Sequence, residues 1–406
     1  MAIPAFLENF TPRTSESAQT ALEKFAKIGV PTKKIENWHY TDLSKLVGGE
    51  VYNTTTKIPA QSRDIDNAIK VSISSDGYIG VDYGDEEICA GFVVSGTTCV
   101  QMDTIASTEN HPMALLNSAV HHDGLCLCIT ENIERPIHIA YVNAGDALAV
   151  MPRLFIDVKE GITTTIVETY ESLAGDKIFA NAVTEISVGE RSVLNHYKVQ
   201  DDEAQTTHIS YAEVSVAALA TYNQTAIFLD GTISRNESCV NLNGEKSHAN
   251  MRGLYIAQGE QHIDNTVCVN HYKPNCTSEQ LFKGVLNEKA KSFFQGKIYV
   301  DRIAQKTDGY QMHRSILLSR DAEVSCKPEL EIYADDVKCS HGATTGEIDK
   351  DQLFYLQTRG IDSVTAKKML LNAFLLEVLE DIKDETVANF LMKISLGKAG
   401  RVLDKY

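Results

Sequence analysis

The sequence lacks both the positive charge and the long hydrophobic runs that two large classes of protein need. Its 406 residues include 38 lysines and arginines against 55 aspartates and glutamates, a formal net charge of −17. A surface this acidic repels phosphate backbones, which excludes sequence-independent binding of nucleic acid. The longest apolar runs, 369–371 and 373–376, are far shorter than the roughly 20 residues of a membrane-spanning helix. We therefore predict neither a nucleic-acid partner nor a membrane.

Export and import signals are also missing from the beginning of the sequence. Residues 1–10 contain no basic segment followed by an apolar one, and no arginine- and serine-rich stretch. This predicts a cytoplasmic protein, whose thiols stay reduced. The nine cysteines follow no disulfide-framework spacing, so they indicate free thiols or metal ligands.

Common nucleotide-binding and hydrolase motifs are absent too. The segment Gly244-Glu245-Lys246-Ser247 resembles the end of a phosphate-binding loop. In that motif the glycine directly precedes the lysine, whereas here a glutamate separates them. No dinucleotide-binding glycine motif, nucleophile elbow or zinc-protease motif occurs. We therefore expect neither nucleotide binding by a known loop nor catalysis by a nucleophilic triad.

Residues 1–122 mix helix and strand signals. Ser15 suits the N-cap of a helix that continues to Ile28, and Gly29 ends it. A second short helix is predicted over Pro112–Val120, with proline in its first turn. The weakly alternating segment 51–95 is typical of short strands and turns.

From residue 123 to residue 345, short β-rich runs recur about every ten residues. Asn243-Gly244 is the main two-residue hairpin signal. Many short strands with few tight hairpins favour a β-sandwich or a β-solenoid, and the pattern alone does not decide between them because no strict repeat period is visible. The predicted strands cover 125–129, 137–142, 154–158, 163–167, 183–188, 193–199, 209–216, 221–228 and 267–272.

The end of the sequence changes to helix. A short helix is predicted over Gln352–Arg359, with Gly360 suited to the left-handed position after its C terminus. Asp362 or Ser363 can cap a second helix, Val364–Ile382.

The stretch Met369–Leu376 within that second helix is apolar on nearly every side. A surface helix normally has one apolar stripe and one charged face. We therefore expect this helix to be covered on more than one side, by its own domain, by a partner, or by both.

Cys339-Ser340-His341 is the best candidate for metal chemistry. On a strand, residues two apart face the same side, so the thiol and the imidazole can reach one metal ion. Both ligand types suit iron, zinc or an iron–sulfur centre. Two ligands do not close a site, so further donors must come from elsewhere or from another chain. The alternative is structural, with Cys339 as a small buried residue and His341 as a hydrogen-bonded histidine.

Two other pairs are weaker candidates. Cys126 and Cys128 have the same spacing but lie in an apolar run that is typical of a core strand. His271 and Cys276 flank a turn at Pro274 and could share a metal ion.

A long segment near the end resembles the SufB/SufD family. It begins with Lys327–Thr344, and continues through Asp351–Leu356 and Arg359-Gly360-Ile361. Within the family, the Cys-Ser-His-Gly-Ala-Thr form of residues 339–344 is similar to the SufD branch. The opening Glu36-Asn37-Trp38 and the length of 406 residues resemble that branch as well.

The resemblance implies a fold, a function and partners. The implied fold is mainly β, a right-handed parallel β-helix (123–345) between an N-terminal mixed α/β region (1–122) and a C-terminal helical region (346–406). The implied function is that of a non-enzymatic subunit in a complex that assembles iron–sulfur clusters. Its partners would be a SufB-like subunit, bound through the last β-helix strands, and a SufC-like ABC-type ATPase, bound through the C-terminal helices. The oligomeric state of the isolated chain stays open, a homodimer included.

The resemblance also implies site residues. His341 corresponds to an iron or cluster ligand at the SufB interface, and Cys339 to an interface thiol. The cluster would be transient and shared with SufB, and the isolated chain would bind no cofactor tightly. His313 lies near the position of the SufB assembly cysteine, and its role stays open. The residues expected to bind a partner are Leu353, Phe354, Tyr355, Arg359, Leu370 and Phe374.

Three rival interpretations remain. A SufB-like scaffold is disfavoured by Cys339-Ser340, where that branch has a different pair. A β-helix enzyme acting on acidic polysaccharide is disfavoured by the negative charge, the single tryptophan and the missing signal peptide. A self-sufficient zinc protein needs four local ligands, and only pairs are visible.

Overall fold

The computed structural model describes residues 4–404 apart from twelve short gaps. These gaps are 45–48, 50, 55–61, 75–78, 83–90, 96–101, 107, 109–110, 122–123, 146, 173–176 and 203–204, with 1–3 and 405–406 at the two termini. The described helices are α1 (Glu16–Ile28), α2 (Pro112–Val120), α3 (Lys350–Thr358), α4 (Ser363–Leu376) and α5 (Glu385–Leu403), with 3-10 turns at Ala5–Leu7, Glu36–Trp38 and Glu377–Leu379.

Most of the chain is strand. The strands are β1 (Ile69–Ser74), β2 (Ile79–Asp82), β3 (Phe92–Ser95), β4 (Gly124–Ile129), β5 (Ile137–Asn143), β6 (Leu148–Val150), β7 (Arg153–Val158), β8 (Thr163–Ser172), β9 (Ile178–Val188), β10 (Val193–Asp201), β11 (Thr207–Val216), β12 (Thr221–Phe228), β13 (Ile233–Leu242), β14 (His248–Ala257), β15 (His262–His271), β16 (Thr277–Leu286), β17 (Lys291–Val300), β18 (Thr307–Leu317), β19 (Glu323–Ile332) and β20 (Val337–Gly346).

The strands form two ten-stranded sheets that together make a parallel β-helix. The first sheet has the order β2-β1-β5-β8-β10-β12-β14-β16-β18-β20, and the second runs β3-β4-β7-β9-β11-β13-β15-β17-β19, with β6 beside β9. Apart from the antiparallel pairs β1–β2 and β3–β4, the described pairings are parallel. The predicted fold class, mainly β with a parallel β-helix and helices at both termini, is confirmed.

The apolar core lies between the two sheets. Alternate residues of each strand point inward and stack on the residues in register with them, as Leu127 on Ile156 and Val240 on Val269. All four side chains are essentially inaccessible to solvent. This stacking of like residues holds each coil on the next one.

The turn at Asn243-Gly244 is not a hairpin. It joins β13 of the second sheet to β14 of the first, and these two strands pair with β15 and β16 rather than with each other. A β-carbon at Gly244 would collide with the backbone of Ala218 in the preceding coil. The glycine is needed for close packing between coils, so the hairpin prediction is wrong.

The N-terminal region covers the outer face of the second sheet. Ser15 caps α1 by accepting a hydrogen bond from the Ala18 N–H, as predicted, and Gly29 follows the helix with a φ of 77°. Helix α2 forms as predicted. Phe6, Leu22 and other N-terminal residues form one cluster with Phe179 of the sheet. The predicted boundary at 122/123 falls on residues outside the described part of the chain.

The C-terminal helices cover the outer face of the first sheet. Leu371 and Leu375 of α4 and Leu391 of α5 form one buried cluster with Leu254 and other sheet residues. Asp362 caps α4, accepting hydrogen bonds from the N–H groups of the first turn.

The predicted second helix, Val364–Ile382, ends early. Helix α4 stops at Leu376, and the chain continues as a 3-10 turn. Arg252 of β14 donates a hydrogen bond to the Glu377 carbonyl at 3.0 Å, and Lys283 forms an ion pair with the Glu377 carboxylate. These side chains bind the backbone and side chain of Glu377, the first residue of the 3-10 turn that follows α4.

Six described cysteines are free, but Cys126 is disulfide-bonded, so the expectation of free thiols or metal ligands is wrong for this residue.

Among the residues that the structure describes, no helix is long and apolar enough to cross a membrane.

Candidate functional site

The β-helix ends in two strands that have a neighbour on one side only. In the described part of the chain, β19 pairs with β17 and is the last strand of the second sheet, and β20 pairs with β18 and is the last strand of the first. Every residue of both strands is at least partly exposed, whereas most of β16 is buried. The backbone groups along both outer edges are therefore available to another strand.

Cys339 and His341 lie on the inner side of β20. Register pairs Cys339 with Gly309 and His341 with Gln311, whose side chain is buried inside the β-helix. In-register neighbours of a parallel sheet point the same way, so both donors face the interior side of the sheet at its open end. This is the same-side geometry that the spacing predicts.

The two donors differ in exposure. Cys339 is half-buried against a small apolar cluster that contains Ile298 and Leu330. This burial raises the pKa of the Cys339 thiol, a hydrogen bond from the Gly309 backbone lowers it, and the charge of Asp308 raises it further. His341 is exposed. The imidazole is therefore the more accessible ligand of the pair.

A buried polar layer lies directly beneath His341. The side-chain nitrogen and oxygen of Gln311 are both buried and have no hydrogen-bond partner among the described residues. His313, two residues further along β18, is fully buried, with its Nε2 2.8 Å from the Tyr255 hydroxyl and its ring stacked on Phe294 at 4.7 Å. Burial lowers the pKa of His313 to about 4. His313 is thus a neutral core histidine.

The facing strand adds a cysteine that no sequence motif singles out. Cys326 of β19 is in register with the buried Phe294, so it also faces the interior at the open end, and burial raises its pKa to about 11. Only the strand register could have revealed this placement. Within the described residues, no group of three or more histidine, cysteine or acidic side chains could hold a metal ion. The open end therefore offers donors but no closed metal site.

His271 and Cys276, one of the weaker predicted pairs, each contact a different partner. His271 Nε2 lies 2.9 Å from the Ser278 hydroxyl, whereas the Cys276 thiol donates to the Gly244 carbonyl at 3.2 Å. Each has its own hydrogen-bond partner, which accounts for both residues structurally.

Helix α3 carries the most exposed of the predicted partner-binding residues. None of its residues is buried. Phe354 is 67% exposed and Tyr355 57%, while Leu353 is half-buried and Arg359 exposed. The Arg359 guanidinium lies over the Tyr355 ring at 5.2 Å and donates to its hydroxyl at 3.2 Å. Large exposed aromatic side chains next to an arginine are typical of protein interfaces.

Leu370 and Phe374 lie in a different environment. Both are half-buried against the first sheet, and the Lys283 ammonium lies 4.5 Å from the centre of the Phe374 ring. Within the same apolar stretch Leu371 and Leu375 are buried, while Met369 is 47% exposed. The chain's own sheet thus covers most of this stretch, and only its Met369 side remains open.

Comparison with known proteins places the chain in a family. The family model described as the SufBD core domain of the SUF system for iron–sulfur cluster assembly matches residues 141–374. This is more than half of the chain, so the protein belongs to the SufB/SufD family.

Within the family the chain is most like SufD. It is 32% identical to the iron–sulfur cluster assembly protein SufD of Escherichia coli, over 92% of this chain and 90% of that protein. It is 28% identical to a SufBD family protein of Synechocystis (90% and 86% covered) and 23% identical to SufD of Bacillus subtilis (96% and 93%). The alignments extend over nearly the whole of both chains.

Proposed function

We propose that this chain is the SufD-like, non-catalytic subunit of a complex that assembles iron–sulfur clusters. It pairs with a SufB-like subunit through the open end of the β-helix and with a SufC-like ATPase through helix α3. The observation that carries the proposal is that both sheets end in exposed strands at the same end of the molecule, where Cys339 and His341 also lie.

Strand addition is the simplest way to complete the open end. An exposed ten-residue edge strand binds a partner strand through main-chain hydrogen bonds, and side-chain contacts then provide specificity. Pro328 and the ion pair of Lys297 with Glu329, at 3.3 Å, limit indiscriminate pairing on the β19 side. Strand β20 has no proline, so it is the less restricted of the two edges.

The cluster is cargo of this complex, and its ligands would come from two chains. Cys339 and His341 supply two soft donors on one side of β20, and four are required around a typical iron–sulfur centre. The exposed imidazole can bind iron in its neutral form. We assign the remaining ligands to the SufB-like subunit.

The ATPase contact is assigned to Phe354, Tyr355 and Arg359 on α3. Their exposure supports this choice over Leu370 and Phe374, which already pack on the first sheet. Removing residues 346–406, a simple way to test the contact, would expose the apolar outer face around Leu254 and Ile256. Point substitutions are therefore the better test.

The ligand assignment is tested with His341→Ala in the co-expressed complex. We expect unchanged co-purification of the SufB-like subunit and loss of iron and acid-labile sulfide from the reconstituted complex. Ser340→Ala is the matched control, since Ser340 is the exposed neighbour on the opposite side of the same strand. A full cluster on the His341→Ala complex would refute the ligand role, and failure to fold would make the histidine structural.

The ATPase contact is tested in the same complex with Phe354→Ala. We expect the ATPase to be lost from the purified complex while the SufB-like subunit is retained. Ile303→Ala removes a similarly exposed apolar side chain from a turn of the β-helix and should retain both partners. Retention of the ATPase by Phe354→Ala and by Tyr355→Ala would exclude α3 as its docking site.

A further inference from the structure

Two cysteines meet on the outer face of the second sheet, away from the open end. Cys239 of β13 and Cys268 of β15 are register partners on adjacent parallel strands. Both are free and half-buried. They are 29 positions apart in sequence, and only the coiling of the chain makes them neighbours.

The two thiols interact with each other and with a pair of asparagines. The neighbouring Cys268 thiol raises the pKa of Cys239, and the Cys239 thiol donates to the Asn241 Oδ1 at 3.9 Å. Cys268 also donates to the Asn270 Oδ1 at 3.1 Å, and the Asn270 amide donates to the Cys239 sulfur at 3.4 Å. Asn270 is fixed in turn by donating to Asn241 at 2.8 Å. The side chains around the two sulfurs are therefore already ordered.

Both cysteines line a cavity of about 360 Å³. The cavity lies between the sheet and the N-terminal segment that contains Glu36 and Asn37, and His111, Lys297 and Lys327 also line it. A small solute entering this cavity contacts both cysteines. The pair is thus accessible in a way that the buried Cys276 is not.

The charges around the pair favour a bound cation. The neighbouring Cys268 thiol raises the pKa of Cys239 well above its ordinary value, and burial and the carboxylates of Glu213 and Glu237 add to this effect. Two bare thiolates beside two carboxylates would repel one another strongly. A cation bound between the sulfurs offsets one of the two thiolate charges, so it makes the release of the two thiol protons less unfavourable than in the metal-free pair.

We propose that Cys239 and Cys268 form a two-sulfur binding site for a soft monovalent metal cation, namely Cu(I). On binding, each thiol releases one proton to solvent, two Cu–S bonds form, and copper keeps its oxidation state. Soft thiolate ligands suit Cu(I), zinc and iron–sulfur clusters, and an iron–sulfur cluster normally takes four of them. Zinc would need four ligands, and the described residues provide no group of three or more suitable side chains.

The experiment uses the full chain under anaerobic conditions with Cu(I) and a chromophoric chelator as competitor. We expect one tightly bound Cu(I) per chain, an affinity that rises with pH because two protons are released, and protection of Cys239 and Cys268 from N-ethylmaleimide in peptide mass spectrometry. Cys239→Ser and Cys268→Ser should each abolish the tight site. Asn270→Ala, which removes a supporting amide, should weaken it by about tenfold.

Controls separate this site from the donors at the open end. Cys326→Ser, Cys339→Ser and His341→Ala leave both sulfurs in place and should bind the same tight Cu(I). If Cys339→Ser or His341→Ala abolishes binding instead, or if bound Cu(I) leaves Cys239 and Cys268 open to alkylation, the proposal is wrong. The alkylation measurement on the unmodified chain decides the point even if a variant fails to fold.

Discussion

The two ends of the β-helix are built differently. At the N-terminal end, β2 and β3 run antiparallel to β1 and β4 and lie at the edges of the two sheets. The strands of the first coil, β4 and β5, are buried almost throughout. At the C-terminal end, β19 and β20 continue the parallel stacking and are the most exposed long strands of the described chain.

The difference supports the proposal that the C-terminal end of the β-helix binds a partner. A parallel coil leaves an open edge wherever stacking stops, and solenoid proteins normally need an atypical capping element there. The antiparallel strands are such elements at the N-terminal end. No described element covers the edges of β19 and β20, which supports the proposal that a partner binds there.

A matched pair of substitutions tests this contrast most strongly. Leu127 of β4 and Leu330 of β19 both face the interior of the second sheet, but Leu127 is fully buried and Leu330 only half-buried. Leu127→Ala should lower the free energy of unfolding by about 3 kcal/mol through loss of burial and the cavity left behind. Leu330→Ala should cost about 1 kcal/mol in the isolated chain. Urea unfolding of both variants measures the difference.

The order of the two effects should reverse when binding of the partner is measured instead of stability. Leu330→Ala should weaken binding of the SufB-like subunit, whereas Leu127→Ala should not, provided the protein is folded. Equal losses of stability from the two substitutions would mean that the C-terminal end is already closed within the chain, and the contrast between the ends would fail.

Local signals predict the elements but not their stacking. Ser15, Pro112 and Gly360 mark helix boundaries correctly because capping and backbone conformation are local properties. The repeat is invisible in the sequence because the coils differ in length. Register advances by 26 residues from Val214 to Val240 and by 32 from Ile298 to Leu330. The solenoid could therefore be chosen over a sandwich only through the family resemblance.

The candidate sites differ in the same way, since some follow from local strand geometry and others depend on the stacking of strands. Cys339 and His341 are two residues apart on one strand, so their common direction follows from strand geometry alone. Cys326, and the pair of Cys239 and Cys268, depend on register between strands of different coils, which spacing does not encode. The interpretation of Phe374 as a docking residue missed its contact with Lys283 for the same reason, since 91 positions separate the two.

A smaller effect tests whether water reaches the interior of the β-helix one strand away from its open end. Burial lowers the pKa of His313 from 6.5 to about 4, although His313 lies on β18, one strand below β20. Between these two pKa values the unfolded chain binds a proton that the folded chain does not. This histidine therefore stabilises the fold fully above pH 6.5, and its contribution falls as pH decreases towards 4. The loss at pH 5 is about 2 kcal/mol.

His313→Gln isolates this contribution. The variant should be less stable at every pH because it loses the ring stacked on Phe294, but its stability should fall about 2 kcal/mol less than that of the unmodified chain between pH 7.5 and pH 5. Leu127→Ala is the control, because it lowers stability without removing a titrating group and should keep the full pH dependence. Thermal and urea unfolding at both pH values provide the measurement. An unchanged pH dependence in His313→Gln would mean that water entering from the open end already solvates this histidine, and the open end would then extend at least one coil deeper than β20.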